Sequence, residues 1–218
     1  MILNTPVESF INSHYQAPKG DLGELQKFAY ENDYPIISNE VLHFLSTILK
    51  ISRPKEILEI GCCIGFSANL MASLTNANIT TIERYSVMIE KAKINIEKYG
   101  YKGRIRLIEG SAIYELENLV KQGKKYDFIF LDAAKGQYNN FLPFLLDLLE
   151  VDGVLLADNI LQNGDIAKDR EEIVKRHRTI HKNMRDFLQN ITNNDILQTT
   201  IVPIGDGLTL TVKLGELQ

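Results

Sequence analysis

From Lys55 onward the chain alternates short, almost unbroken apolar runs with longer amphipathic stretches, and that rhythm admits few architectures. The runs fall at 57–60, 79–82, 105–108, 128–131 and 154–157. Helix-like segments lie near 66–74, 86–99, 111–122, 137–149 and 169–191. A strand that is apolar on both sides needs cover on both sides, and helical crossovers between parallel strands supply it. The expected fold is therefore α/β, on a mostly parallel sheet. The last part breaks the rhythm. Segments 196–202 and 208–214 flank Pro203-Ile204-Gly205-Asp206-Gly207, whose composition suits a turn joining an antiparallel pair at the sheet edge. Ahead of the sheet, 6–14, 21–32 and 38–50 read as helices. In the third, Val41, Leu42, Leu45, Ile48 and Leu49 recur at helical spacing behind a candidate N-cap, Ser38. The expected organisation is one domain over 1–218, a helical cap over 1–50 and an α/β core over 55–214.

Length and charge bound the function. With 218 residues the chain can bury a substantial core, and a net charge of -4 means that any nucleic-acid contact needs a local basic patch. The only cysteines, Cys62 and Cys63, are adjacent; they cannot frame a disulfide network, and a reducing compartment is the natural reading. Residues 1–16 carry no targeting pattern and no stretch approaches bilayer length, so a cytoplasmic location with no membrane contact is expected.

The first apolar run leads into Glu59-Ile60-Gly61-Cys62-Cys63-Ile64-Gly65-Phe66-Ser67. In open α/β sheets ligands bind at the carboxyl ends of strands, and glycines there let the backbone approach a ligand. The pattern is G-x-x-x-G, not the dinucleotide G-x-G-x-x-G, and a tight structural turn would want the same glycines. The second run leads to Glu83, placed to accept both hydroxyl hydrogens of a ribose; a surface acid paired with Arg84 is the plainer alternative. After the third run, the backbone amides at Ser111-Ala112 could hold an adenine edge, or Ser111 could simply cap a helix. Together these features favour a nucleoside-bearing cofactor.

The fourth run ends in Asp132-Ala133-Ala134-Lys135 and the fifth in Asp158-Asn159. Two carboxylates and an amide oxygen at neighbouring strand ends form a hard-oxygen set suited to Mg²⁺. Either aspartate alone would more simply cap a helix; the pair beside Asn159 favours a metal. Lys135 beside such a metal could take a proton or hold an oxyanion, the alternative being an ordinary solvated lysine. Cys62 and Cys63 read as packing residues, and His177 and His181 as part of a polar helix face.

These residues together resemble the cation-dependent O-methyltransferases that include the catechol and caffeoyl-coenzyme A enzymes. The likeness covers about 20–214 and rests most on Glu59-Ile60-Gly61 with Gly65-Phe66-Ser67, on Leu131-Asp132-Ala133-Ala134-Lys135, and on Asp158-Asn159. Within that family the similarity is greatest to the bacterial tRNA 5-hydroxyuridine methyltransferases, through Tyr34-Pro35-Ile36, Asp132-Ala133-Ala134-Lys135-Gly136-Gln137-Tyr138 and Pro203-Ile204-Gly205-Asp206-Gly207-Leu208. The resemblance implies a Rossmann-like class I S-adenosylmethionine-dependent methyltransferase with a seven-stranded sheet, and a homodimer. It implies that Asp132, Asp158 and Asn159 hold Mg²⁺ or another divalent cation and that Lys135 assists deprotonation. Glu83 would hold the ribose, while Glu59, Gly61, Ser67, Ser111, Ala112, Asp132 and the backbone at Ile37 would complete the cofactor pocket. Ser111 stands where these enzymes commonly carry Asp, and the cysteine pair where small or hydroxyl residues are common.

For the acceptor, Lys168 to Arg185 holds seven Lys or Arg against three acids, with Arg178, His181, Lys182 and Arg185 spaced along one helix face. Ile173, Ile180, Met184 and Phe187 form the opposing stripe. Such a face suits a polyanion, although a solvated helix surface explains it equally well. With the motif similarity, the expectation is a tRNA anticodon loop, methylated at a wobble 5-hydroxyuridine. The alternatives are a small vicinal-dioxygen acceptor of catechol type, an NAD-binding oxidoreductase, and a non-catalytic RNA-binding module.

Overall fold

The computed structural model describes residues 5–216. Three helices come first, α1 (Thr5–Ser13), α2 (Asp21–Glu31) and α3 (Asn39–Ser52). Ser38 caps α3, its side chain accepting from the Val41 amide at 3.4 Å. The alternating part follows as β1 (Glu56–Ile60), α4 (Phe66–Leu74), β2 (Asn78–Glu83), α5 (Ser86–Lys98), β3 (Ile105–Glu109), α6 (Ala112–Lys121), β4 (Tyr126–Leu131), α7 (Tyr138–Leu148) and β5 (Leu149–Ala157). The chain closes with α8 (Arg178–Thr192), β6 (Leu197–Val202) and β7 (Leu208–Lys213).

The strands form a seven-stranded sheet in the order β3-β2-β1-β4-β5-β7-β6. The first five are parallel, while β7 pairs antiparallel with both β5 and β6. This is the Rossmann-like class I methyltransferase fold, including the expected edge hairpin. The two-residue period of a strand explains why the runs had to be apolar throughout. Ile57, Phe128, Phe130 and Leu156 pack into one layer with α2, α3 and α4. Their chain neighbours Leu58, Ile129, Leu131 and Leu155 pack into the other with α6, α7 and α8.

Two elements depart from the sequence reading. β5 starts at Leu149, because Tyr126 pairs with Leu149 before the register shifts and Phe128 pairs with Val154; Asp152, at φ 64, makes the irregularity. The stretch 169–191 is not one helix. Short 3-10 turns at Gln162–Ala167 and Lys175–His177 precede α8, which is helical only from Arg178.

The crossover from the β1-β2-β3 side to the β4-β5 side puts the carboxyl ends of β1 and β4 together, the position where such sheets bind ligands. The ladder runs on past both strand ends there. The Asp132 amide donates to Ile60 O at 3.0 Å, and the Asp158 amide to Leu131 O at 2.9 Å.

Candidate active site

A cleft of about 730 Å³ opens over these strand ends. Gly61 forms its floor at φ +101, and a Cβ there would lie 1.9 Å from the Asp132 carbonyl oxygen. Only glycine lets the β1 and β4 loops approach so closely. Glu83, at the end of β2, is fixed by backbone amides. Its Oε2 accepts from Cys63 N at 2.9 Å, and its Oε1 accepts from Arg84 N at 2.7 Å and Tyr85 N at 2.9 Å. A carboxylate has more lone pairs than these three bonds use, so a pinned Glu83 can still accept hydroxyls from the cleft. Ile37, Gly61, Ser67, Glu83, Ser111, Ala112, Asp132, Lys135 and Asn159 all line this one cavity.

Glu59 lies outside it. It is fully buried on the α4 side of β1, where Thr81 Oγ1 donates to its Oε2. Burial pushes its carboxyl up to about 7, against the pull of hydrogen bonds from Ser67 and Thr81. The residue expected at the cofactor lies instead beneath the floor, because its position on β1 points it into the helical layer with Ile57. Ser111 sits at the N-cap position of α6 but makes no side-chain cap bond.

A smaller cavity of about 280 Å³ adjoins the cleft, with Ile37, Asp132 and Asn159 bordering both. Asp158 and Asp206 line the second one, as do Glu8 and Glu40. Asn159 Nδ2 donates to Asp132 Oδ1 at 3.1 Å, and the Asn159 amide donates to Asp158 Oδ1 at 2.6 Å. The fully buried Tyr138 braces the two strand ends. Its hydroxyl donates to Asp158 O at 3.0 Å and accepts from Ala133 N at 3.2 Å. Burial pushes Asp132 up to about 6, moderated by the Lys135 charge and the Asn159 bond. Asp158, only 3% exposed, is driven well above the carboxylate range, by burial first and then by Asp132.

Lys135 offsets the charge of these two acids only in part, and its Nζ lies 2.7 Å from Asp206 Oδ2. The donor chemistry fits a hard divalent cation, because Asp132 and Asp158 supply carboxylates and a half-turn of the Asn159 amide presents its oxygen. Among the described residues no three His, Cys, Asp or Glu converge on a point, so a cation here would rest on two carboxylates and an amide.

Cys62 and Cys63 are free thiols. Burial holds Cys62 well above its ordinary value and Cys63 at about 11, so neither is a thiolate at neutral pH. Sequence reasoning missed Asp206, which its Gly205-Asp206-Gly207 setting presented only as a turn residue. It also missed Tyr85 and Met88, which line the cleft.

The spacing of Arg178, His181, Lys182 and Arg185 does not produce a continuous exposed face. His181 is 3% exposed, inside the molecule, and its Nε2 has no hydrogen-bond partner among the described residues. The guanidinium of Arg178 is turned onto Ile173 O and Glu171 O, and that of Arg185 onto Ile166 O and Lys168 O. Lys182 pairs with Asp186 and Lys168 with Asp165. Arg178 and Arg185 thus tie α8 to the irregular chain before it, while Arg170, Lys175 and Arg176 stay exposed.

A parallel sheet ending in an antiparallel hairpin, with a glycine-floored cleft at its strand ends and an acid closing β2, defines the chain as a class I methyltransferase. Its sequence matches the O-methyltransferase family model over residues 12–214, and the chain belongs to that family. It is an S-adenosylmethionine-dependent O-methyltransferase. It is 30% identical to caffeoyl-CoA O-methyltransferase 3 of Nicotiana tabacum over 209 residues, 91% of this chain and 85% of that protein. A solved Staphylococcus aureus structure superimposes with a TM-score of 0.87 at 31% identity, covering 95% of this chain and 99% of that one. The Bacillus cereus O-methyltransferase, solved in complex with SAH, shares the fold at 23% identity with a TM-score of 0.82, covering 98% of this chain and all of that one. These relatives correct the expected kinship with tRNA hydroxyuridine methyltransferases, and with it the tRNA partner and the wobble-base reaction. The similarity lies with caffeoyl-CoA enzymes. Among the described residues no helix is long and apolar enough to cross a membrane.

Proposed function

We propose that this protein methylates one hydroxyl of a small acceptor bearing two adjacent oxygens, of the catechol or caffeoyl type, with S-adenosylmethionine as donor and a divalent cation at Asp132, Asp158 and Asn159. The observation that carries this reading is the shared wall. Asp132 and Asn159 border both a nucleoside-sized cleft and a cavity sized for a small ring, and Asp158 lines the smaller one. The names of the relatives support the acceptor class.

In the cleft, Glu83 accepts the ribose hydroxyls, and the Ser111-Ala112 backbone meets the adenine edge. Gly61, Ser67 and Ile37 shape the walls around the donor. When bound, the cation would lower the pKa of the acceptor hydroxyl and anchor the neighbouring oxygen. Lys135 assists removal of the acceptor proton and faces the resulting oxyanion. The oxygen then attacks the methyl carbon as its bond to sulfur breaks, turning the sulfonium into a thioether and the acceptor into a methyl ether. Alignment of the two reactants supplies most of the acceleration, since the sulfonium is already a reactive donor.

The test is methyl ether formation from a simple catechol, with and without EDTA, alongside calorimetry with SAH. EDTA or Asp158→Ala should reduce turnover by about 100-fold or more while leaving SAH affinity intact. Full turnover in EDTA, or no SAH binding by the wild type, would overturn the proposal.

A further inference from the structure

Asp206 lies on the turn between β6 and β7, 71 residues along the chain from Lys135. Its side chain is 15% exposed and that of Lys135 33%. Both carboxylate oxygens are engaged. Oδ2 accepts from Lys135 Nζ at 2.7 Å and Oδ1 from the Asn163 amide. The Asp206 carbonyl accepts from Leu161 N at 2.9 Å, and the next carbonyl, Gly207 O, from Ile160 N at 3.0 Å. The turn is thus fastened along the loop that leaves Asp158-Asn159. Its glycines allow the close approach. A Cβ on Gly207 would lie 2.3 Å from Leu161 Cγ, and one on Gly205 2.9 Å from Val41 Cγ2, both at positive φ. Lys135 borders the cleft and Asp206 the smaller cavity, so the ion pair spans the wall between them.

A lysine carries its charge on a flexible stem with no preferred direction. Left alone, Lys135 would turn to solvent or toward Asp132. We infer that Asp206 is a positioning residue that holds the Lys135 ammonium at the boundary between donor and acceptor cavities and acts on methyl transfer only through that lysine. The inference rests on the role proposed above for Lys135.

The experiment is a double-mutant cycle on the full-length enzyme with a catechol acceptor, read as kcat, KM and SAH affinity, with Tm as a check on folding. Asp206→Asn keeps an oxygen for the Asn163 amide but loses the charge. It should lower kcat by about 10- to 100-fold while leaving SAH affinity and Tm unchanged. Asp206→Glu should restore part of the loss, since the flexible lysine can follow a longer acid. In a Lys135→Met background, Asp206→Asn should have no further effect. The inference is overturned by an unchanged kcat in Asp206→Asn, by a further fall in the Lys135→Met background, or by a parallel loss of SAH affinity. A Lys135→Met enzyme at wild-type kcat would remove the proposed role of the lysine and this inference with it, a result distinct from failure of Asp206→Asn alone.

Discussion

Glu59 holds a carboxyl that water does not reach, and the consequence is a pH-dependent stability. The folded chain keeps this proton up to about pH 7, whereas an unfolded chain releases it near the ordinary carboxylate value of about 4.3. The contribution of Glu59 to stability is therefore complete below the unfolded value and is lost as pH rises through the folded one. The loss amounts to about 3 kcal/mol by pH 8. Asp, Lys and Arg would not fit this site, but Glu59→Gln should, and it should raise Tm at pH 8 with little change at pH 5. Melting curves at the two pH values check this; a Gln variant less stable than wild type at both would refute it. At this scale much of the site could be read from the chain. Asp132, Asp158 and Glu83 stood out because an acid at the end of an apolar strand is costly without a purpose, and Asn159 because its amide oxygen adjoins Asp158. Glu59 misled because a motif gives distance from a glycine turn, not which side of the strand a residue faces. Asp206 was hidden because an acid between two glycines is ordinary turn chemistry.

Among the elements, α7 and β5 meet at a junction held by one buried lysine. Lys213, at the end of β7 and 1% exposed, donates to Leu146 O and Leu149 O, each at 2.9 Å, and pairs with Glu216 at 2.7 Å. These carbonyls lie where a helix runs out of its own donors. Lys213→Met keeps the bulk and removes the donors, and should cost about 2 kcal/mol in urea unfolding; an equally stable variant would show that water serves the carbonyls as well. Element type was legible wherever hydrophobic period decided it, in α3 and in the strands. It was not legible where a long-range contact decides. The first half of β5 exists because Leu149 finds Tyr126 across a register shift. Residues 169–177 look helical in composition, yet their carbonyls at Glu171 and Ile173 are taken by the Arg178 side chain.

For the molecule as a whole, the proposed cation beside two mutually repelling buried acids would bear on stability as well as chemistry. Saturating magnesium should raise the Tm of the wild type by about 3–5 °C and leave Asp158→Asn unmoved, measured by calorimetry without donor or acceptor. An identical rise in both proteins would place the ion elsewhere. The rhythm of the chain implied a parallel sheet closed by a hairpin, but not the strand order that brings β1 beside β4, since order depends on how crossovers pack. The smaller cavity illustrates what such packing achieves. Its walls come from the first 41 residues through Glu8, Ile37 and Glu40, and from the hairpin turn through Gly205 and Asp206. Distant stretches of polypeptide thus finish a chamber whose floor is the central sheet. A proteolytic fragment cut just before β1 would retain all seven strands with Asp132, Asp158 and Asn159, yet would have lost the wall that Glu8, Ile37 and Glu40 supply. A normal circular dichroism spectrum from such a fragment would say nothing about whether it still turns over.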